Sequence, residues 1–139
     1  MVALAIWYDQ TTKDDEGNVV IRVSTAAELD ELVNRILGET AEHDAPPMIQ
    51  VVLSGVKRSP ALEVGLGKEK GFIGYTSRTE GGWTIGDGDP NAVVSCIYMG
   101  NHSEVPASVE VPLATVRRGL HEFLATGERP SVVESDVAS

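Results

Sequence analysis

Apolar residues alternate with small or polar ones in several short runs of the chain, a pattern typical of β-strands. The runs Val2 to Tyr8 and Val19 to Val23 flank a polar turn and predict an antiparallel hairpin. The run Met48 to Leu53 is apolar apart from Gln50, which predicts a strand inside the sheet. These runs predict that the first 53 residues supply three strands to a sheet.

The glycine-rich stretch Ala61 to Asn91 predicts the middle of that sheet, as a meander of antiparallel strands. Each of its apolar bursts is closed by a turn that soon reaches glycine or aspartate. The bursts are Leu62–Val64, Phe72–Tyr75 and Trp83–Ile85. The run Val93 to Met99 predicts a further strand. We expect a loop from Gly100 to Ser108, followed by a short extended piece, Val109 to Val111.

Two segments carry apolar residues at helical spacing. The first, Ala26 to Leu37, starts with Thr25 and Glu28 in capping-box positions, and Gly38 fits the position just past its end. The second runs from Leu113 to Ala125 and is followed by Gly127.

No periodicity continues after Pro130. The sequence thus predicts an α+β fold, a mostly antiparallel sheet with two helices packed on it, in a single domain over residues 1–134, with a disordered tail at 135–139.

The charge balance narrows the class of partner. The 139-residue chain has 21 acidic against 11 basic side chains, a formal net charge of -10. Nucleic-acid binders need a basic patch to displace counterions, so we expect no nucleic-acid partner. The negative charge is compatible with a basic protein partner. It can also be explained by solubility alone, without any partner.

The sequence predicts a cytoplasmic protein. Its N-terminus has no basic region before the apolar run, so we expect no signal peptide. No apolar run approaches the length of a membrane helix, so we expect no membrane partner. The single cysteine, Cys96, cannot form an internal disulfide.

Motifs for phosphate or metal binding are incomplete. The segment Gly65 to Lys68 resembles the end of a phosphate-binding loop, but Glu69 stands where Ser or Thr should hold magnesium. Asp87 and Asp89 alternate like the start of a calcium loop, but Ala92 stands where that loop requires glycine. These aspartates are better explained as turn residues that bond the backbone locally, and we expect no metal and no cofactor.

Nucleophilic catalysis would need Cys96 or a serine beside a histidine. Cys96 falls in a predicted buried strand, where a small apolar residue is expected. A hairpin return could bring His102 near it, but no third group that would orient the histidine stands out. His121 lies to one side of the second helix's apolar stripe and is predicted at the surface. We therefore predict no enzyme.

Spacing and residue type in the second half resemble the Imm1 family of bacterial immunity proteins. The residues that carry the resemblance are Gly81-Gly82-Trp83, Asp89-Pro90, Tyr98, Val111-Pro112-Leu113 and the helix end from Glu122 to Pro130. The early strand, the first helix and the strand Met48 to Leu53 fit the same layout. Sequences of the family commonly carry a tryptophan shortly after the Gly-x-x-Pro, and this chain has none there.

The resemblance implies a protein that is encoded beside a polymorphic toxin and neutralises that toxin domain, a nuclease or a deaminase, by occlusion. The partner would then be a cognate toxin or another protein. A patch for it is predicted at Tyr75, Glu80, Trp83, Asp87 and Asp89, since tight interfaces use aromatic anchors ringed by charges. The competing interpretation places Trp83 in the core and leaves the aspartates as turn residues only.

Two other functions stay open from the sequence. One is a non-catalytic accessory module that binds a protein or a small molecule in a biosynthetic or regulatory setting, since a family likeness carries fold more reliably than function. The other is an enzyme whose site the sequence does not reveal.

Overall fold

The computed structural model describes residues 3–7, 20–39, 48–56, 58–67, 69–89, 91–98 and 101–135. Its strands are β1 (Leu4–Trp7), β2 (Val20–Val23), β3 (Met48–Leu53), β4 (Ala61–Leu66), β5 (Lys70–Thr76), β6 (Gly81–Thr84), β7 (Val93–Tyr98), β8 (Asn101–Pro106), β9 (Val111–Pro112) and β10 (Val133–Ser135). Its helices are α1 (Ala26–Glu39), α2 (Leu113–Thr126) and a 3-10 helix, Ala107–Val109.

The main sheet has the strand order β10-β6-β5-β4-β3-β1-β2, and β9 pairs with β5 beside this path. The pairings within it are antiparallel, and β7 and β8 form a separate antiparallel hairpin. The predicted hairpin of the first two strands is confirmed, and β3, β4 and β5 lie inside the sheet as expected. The predicted α+β class is confirmed.

One face of the sheet is covered by the two helices. Because side chains alternate along a strand, Leu62 and Val64 of β4 and Ile73 of β5 point to this face, and all three are fully buried. The apolar stripe of α1 and the stripe of α2 are buried with them, as the helical spacing predicted. The helix residues in this core are Leu29, Leu32, Val33, Ile36, Val116, Leu120, Phe123 and Leu124.

The opposite face carries a smaller cluster beneath the β7–β8 hairpin. Met48 of β3 and Phe72 of β5 pack there against Val105 and Val109, with Val94 partly buried beside them. Farther along the same face, side chains of the main sheet are exposed to solvent. These exposed positions form the site considered below.

The helix ends follow the predicted chemistry at two of three positions. The Glu28 N–H donates to Thr25 Oγ1 at 3.1 Å, and the Glu28 carboxylate accepts from the Ser24 N–H at 3.2 Å, so the capping box is confirmed, with Ser24 supplying the backbone donor. Hydrogen bonds from Ser24, its hydroxyl first, lower the pKa of Glu28 below its ordinary value. Gly127 adopts a left-handed φ of 71° and donates to the Phe123 carbonyl, which confirms it as the end of α2.

The assignment of Gly38 as the residue past the helix end is wrong. The helix α1 continues through Gly38 to Glu39. The residues of positive φ in the described chain are Arg58, Gly55 and Gly127, so Gly38 does not form a left-handed cap.

Two further predictions are corrected. The expected loop from Gly100 to Ser108 instead contains β8 and the first part of the 3-10 helix, and the segment after Pro130 contains β10. β8 is mostly polar and β10 has three residues, so pairing with β7 and β6 stabilises them rather than any propensity of their own. Several assigned positions lie outside the described residues: Val2, Tyr8, the polar turn between the first two strands, Val19, Met99, Gly100 and residues 136–139.

Candidate functional site

A straight row of cross-strand neighbours crosses the open face of the sheet. Gln50 pairs with Glu63, Glu63 with Gly74, Gly74 with Trp83, and Trp83 with Glu134. Residues directly opposite each other on antiparallel strands point to the same face. Glu63, Trp83 and Glu134 therefore share the face opposite the helices, and all three are exposed.

The indole of Trp83 lies over Gly74. A Cβ built on Gly74 would meet Cζ3, Cε3 and Cη2 of the six-membered ring at 2.7, 2.9 and 2.9 Å. Three successive ring atoms at nearly equal distance mean that the glycine meets the flat face of the ring and not its edge. One face of the indole thus rests on the β5 backbone, while 37% of the residue remains exposed. The competing interpretation of Trp83 as a core residue does not describe this position.

Phe72 supports the tryptophan from the covered side. Its ring lies over Gly65 of the neighbouring strand, where a Cβ would meet three successive ring atoms at 2.5, 2.8 and 2.8 Å. The Phe72 and Trp83 rings are 5.8 Å apart between centroids and inclined at 55°, a tilted arrangement that aromatic pairs favour. Trp83 therefore adjoins the buried cluster under the β7–β8 hairpin.

Thr84 holds the strand that carries Trp83. Its side chain points to the opposite face and is fully buried. There Thr84 Oγ1 accepts from the Ile73 N–H at 3.1 Å and donates to the Val109 carbonyl at 2.6 Å. A buried hydroxyl with both partners supplied fixes β6 against β5 and against the end of the 3-10 helix. The position of the indole follows from this attachment.

A concave groove of about 340 Å³ surrounds the tryptophan. We call it the tryptophan groove. It is lined by Glu63, Gly74, Tyr75, Thr76, Glu80, Gly81, Gly82 and Trp83. The glycines leave the backbone open to solvent between the indole and the β5–β6 turn, and this absence of side chains produces the concavity.

Glu80 forms the rim of the groove at the β5–β6 turn. The turn is closed by the Ser77 N–H donating to the Glu80 carbonyl at 2.8 Å, and the Glu80 N–H donates to Ser77 Oγ at 3.1 Å. The Glu80 carboxylate lies 3.3 Å from Arg129 Nε, and Arg129 also donates to the carbonyl of Val133 in β10. The guanidinium thus offsets the charge of Glu80 and ties the turn to the edge strand.

Tyr75 takes part in the groove from a buried position. It is 7% exposed, pairs with Leu62 and belongs to the core on the helix side. It also lines the groove at the base of the turn. Its contact with a partner remains a prediction, and what the structure establishes is its place in the core.

Asp87 and Asp89 lie in the loop between β6 and β7 and do not line the groove. The Asn91 N–H donates to Asp89 Oδ1 at 2.8 Å, which confirms the expected turn role of that carboxylate. The Gly86 N–H donates to the Ser108 carbonyl at 2.7 Å, so the loop is attached to the 3-10 helix. Both aspartates are exposed, and their role in binding stays a prediction.

The structure thus brings Tyr75, Glu80 and Trp83 together and adds Glu63 and Glu134. Glu63 could have been found from the sequence, since it is the charged position in the alternating run ALEVGL. Glu134 gave no such signal, because its place depends on the pairing of a strand of three residues with β6.

The remaining candidates for chemistry are accounted for by the register or by helix contacts. Cys96 pairs with Ser103 and His102 with Ile97, so the hairpin does not align the cysteine with the histidine. His121, predicted at the surface, is partly buried, and its Nε2 lies 2.8 Å from Asp30 Oδ1, where it joins α2 to α1.

The described residues contain no group of three His, Cys, Asp or Glu side chains arranged to hold a metal ion. Nor is any helix among them long and apolar enough to span a membrane.

A family model described as immunity protein Imm1 matches residues 17–136 of the 139-residue chain. The match includes the first helix, the strands β3 to β6 with the tryptophan groove, and the edge strand β10. A comparison with curated proteins gave no match.

Proposed function

The chain belongs to the Imm1 family of immunity proteins, and on that premise we propose that it neutralises a cognate toxin domain by binding it. Binding covers the active site of the toxin, and no reaction is catalysed. The toxin is a domain that acts on nucleic acid, such as a nuclease or a deaminase. The family match to residues 17–136 carries this proposal.

The open face of the sheet supplies a surface of the kind that protein partners use. It presents Trp83, 37% exposed, at the edge of a groove whose floor is backbone. Tryptophan is enriched among the residues that contribute most to binding energy, particularly when a polar rim surrounds it. Glu63, Glu80 and Glu134 provide that rim. The helix side, in contrast, has its large apolar residues in the core.

The charge of the chain supports the choice of partner. A toxin that acts on nucleic acid needs basic residues around its active site to hold phosphates. A binder of net charge -10 is attracted to such a surface over a distance, which speeds association. A negatively charged occupant also competes directly with the nucleic acid for the same residues.

The test uses the toxin domain encoded beside this gene, expressed in a sensitive host with and without the chain. We expect the chain to restore growth and to elute with the purified toxin as a complex of defined stoichiometry. Toxin activity should fall in proportion to the amount of chain added and reach its minimum at equivalence. Activity that falls to its minimum at a small fraction of equivalence would instead mean that the chain modifies the toxin catalytically.

A second function is supported by the groove volume alone. At about 340 Å³ the groove is near the lower end of the range of small-molecule sites, roughly 300–1,000 Å³. If the chain is an accessory module for a small ligand, that ligand should raise the unfolding temperature by mass action. Thermal unfolding in the presence of a ligand library distinguishes this function, because Trp83→Ala should abolish the shift.

A further inference from the structure

We propose that the tryptophan groove receives an arginine side chain of the toxin, which stacks on the open face of Trp83 and pairs with the carboxylate of Glu63. This inference rests on the proposed function and names the group that the groove recognises. It joins three observations on neighbouring strands: the orientation of the indole, the distribution of carboxylates around it, and the shape of the groove.

The orientation of the indole leaves one aromatic face available. Gly74 meets the other face, as the distances of 2.7 and 2.9 Å from its Cβ direction to three ring atoms require. The ring is therefore held against the sheet by one face. Its other face is turned away from Gly74, and the residue, which also lines the groove, is 37% exposed. A cation placed over the face of tryptophan is attracted by the ring quadrupole, by roughly 0.5–2 kcal/mol.

The carboxylates around the indole differ in what they contact. Glu80 is offset by Arg129, 3.3 Å away. Glu63 and Glu134 form no ion pair with any residue in the described part of the chain. A cation entering the groove thus gains a carboxylate partner without displacing an ion pair among the described residues.

Of these two carboxylates, Glu63 lines the groove together with the indole, and Glu134 does not. The ring leans from β6 over Gly74, and Gly74 is the direct cross-strand neighbour of Glu63. Directly opposite residues lie about 5 Å apart between Cβ atoms, so the carboxylate borders the ring. Glu134 lies on the other side of Trp83, on the edge strand, and adds a second negative charge beyond it.

The groove favours arginine over lysine. A guanidinium is planar, so it can lie parallel to the indole while its N–H groups form a bidentate pair with one carboxylate at the ring's border. The ammonium of lysine is compact and strongly hydrated and cannot satisfy both contacts in one plane. The partner is therefore an arginine-bearing segment of a basic protein.

The experiment measures the dissociation constant of the purified, catalytically inactivated toxin domain for variants of the full chain. Glu63→Gln keeps the shape of the side chain and removes its charge, and we expect it to weaken binding by at least tenfold. Trp83→Ala should weaken it by about thirtyfold or more, as for a central aromatic anchor. Glu31→Gln is the matched control: Glu31 is exposed on α1, beyond the opposite face of the sheet, and its loss should change affinity less than twofold.

Substitution in the toxin identifies the group that enters. Each exposed arginine of the toxin is changed to lysine, one at a time, and tested against the native chain and against Glu63→Gln. For one of these arginines, the substitution should weaken binding to the native chain and have little further effect on Glu63→Gln, because the two changes remove the same contact. Urea unfolding of each variant verifies that the fold is retained.

The outcomes distinguish a failure of the proposed arginine contact from a failure of the proposed function. If the native chain does not bind or neutralise the toxin, the proposed function fails, and the inference fails with it. If the native chain binds tightly while Glu63→Gln and Trp83→Ala bind equally well, the function stands and the groove is not the contact. If both variants lose affinity but no arginine of the toxin is coupled to Glu63, the assignment of arginine is overturned.

Discussion

Two aromatic rings on the face of the sheet opposite the helices occupy the space that glycine leaves on the neighbouring strand. Phe72 covers Gly65 within a buried cluster, and Trp83 covers Gly74 at the surface. A glycine in a strand has no side chain to pack, and a cross-strand aromatic ring restores that contact. The two pairs have the same geometry and differ in their access to solvent.

This difference in solvent access predicts that replacing each glycine by alanine will affect stability unequally. Gly65→Ala should lower the free energy of unfolding by about 1–3 kcal/mol, since the buried Phe72 ring has nowhere to move. Gly74→Ala should cost less stability, because the Trp83 indole can swing into solvent, yet it should weaken toxin binding. Urea unfolding and binding measurements on both variants test this. A larger stability loss in Gly74→Ala would contradict the proposed freedom of the indole.

The Glu28 carboxylate at the start of α1 should make the stability of the protein depend on pH. The folded-state pKa of Glu28 lies below its unfolded value of about 4.5, chiefly because the Ser24 hydroxyl donates to the carboxylate. The carboxylate therefore contributes stability above that value, and the contribution is lost as the pH falls through the folded-state pKa. Glu28→Gln should be less stable than the native chain at neutral pH and equally stable in acid.

Thr25→Ala provides the control for this titration. It removes the hydroxyl that accepts from the Glu28 N–H, and we expect a loss of about 1 kcal/mol at neutral pH, as for other N-cap threonines. The hydroxyl does not titrate, so most of this loss should persist in acid. Urea midpoints at several pH values distinguish the two variants. An equal difference between Glu28→Gln and the native chain at every pH would contradict the role of the charge.

At the level of the residue, the sequence predicted local hydrogen bonds better than it predicted which side chains are exposed. The capping pair Thr25 and Glu28 and the Asp89 turn were readable because each contact spans three residues or fewer. The exposure of Trp83 could not be predicted from the sequence. It depends on Gly74, which becomes its neighbour only when β5 and β6 pair in the sheet. A run of aromatic and polar residues does not reveal which of its faces will be covered.

At the level of the element, the two glycines that were assigned to helix ends predict opposite effects. Gly38 lies inside the last turn of α1, and a Cβ built on it meets no atom within 4 Å. Gly38→Ala should therefore stabilise the protein by about 0.5–1 kcal/mol, because glycine loses more entropy in a helix than alanine.

Gly127→Ala should destabilise the protein by about 1 kcal/mol, because its φ of 71° is strained for alanine. Thermal unfolding of both variants gives the comparison. The same sign of effect in the two variants would mean that α1 ends at Gly38 in solution.

The elements that could be predicted are those with their own periodicity. Helices α1 and α2 and strands β3, β4 and β5 each carry an apolar pattern that repeats within the segment. Strands β8 and β10 were missed because their sequences, NHSEVP and VES, show little of such a pattern. The contacts that form them lie elsewhere in the chain, so local sequence alone could not indicate them.

At the level of the whole molecule, net charge should set the rate of toxin binding. With a formal charge of -10, the proposed association with a basic toxin should be steered electrostatically and screened by salt. Between about 0.1 M and 1 M salt the Debye length falls from roughly 10 Å to 3 Å, and we expect the association rate to fall by about tenfold or more. Stopped-flow measurements at several salt concentrations test this.

Two variants distinguish the effect of net charge on the association rate from the effect of the groove contact on the dissociation rate. Glu31→Gln and Glu63→Gln each remove one negative charge, so their association rates should change by similar, small factors. The dissociation rate should rise for Glu63→Gln only. An association rate that does not change with salt would contradict the contribution of net charge, whatever the dissociation rates show.

The position of β10 has a consequence for when a newly made molecule becomes active. Synthesis proceeds from the N-terminus, so the strands β1 to β6 and both helices leave the ribosome before Val133–Ser135. Only then does β10 pair with β6 and bring Glu134 beside Trp83. A nascent chain can thus begin to bury its core, which Val133 of β10 completes, while one side of the proposed binding surface is still missing. Protection of the producing cell would then depend on the stock of finished molecules, and toxin made in the same burst of translation would meet partners completed earlier.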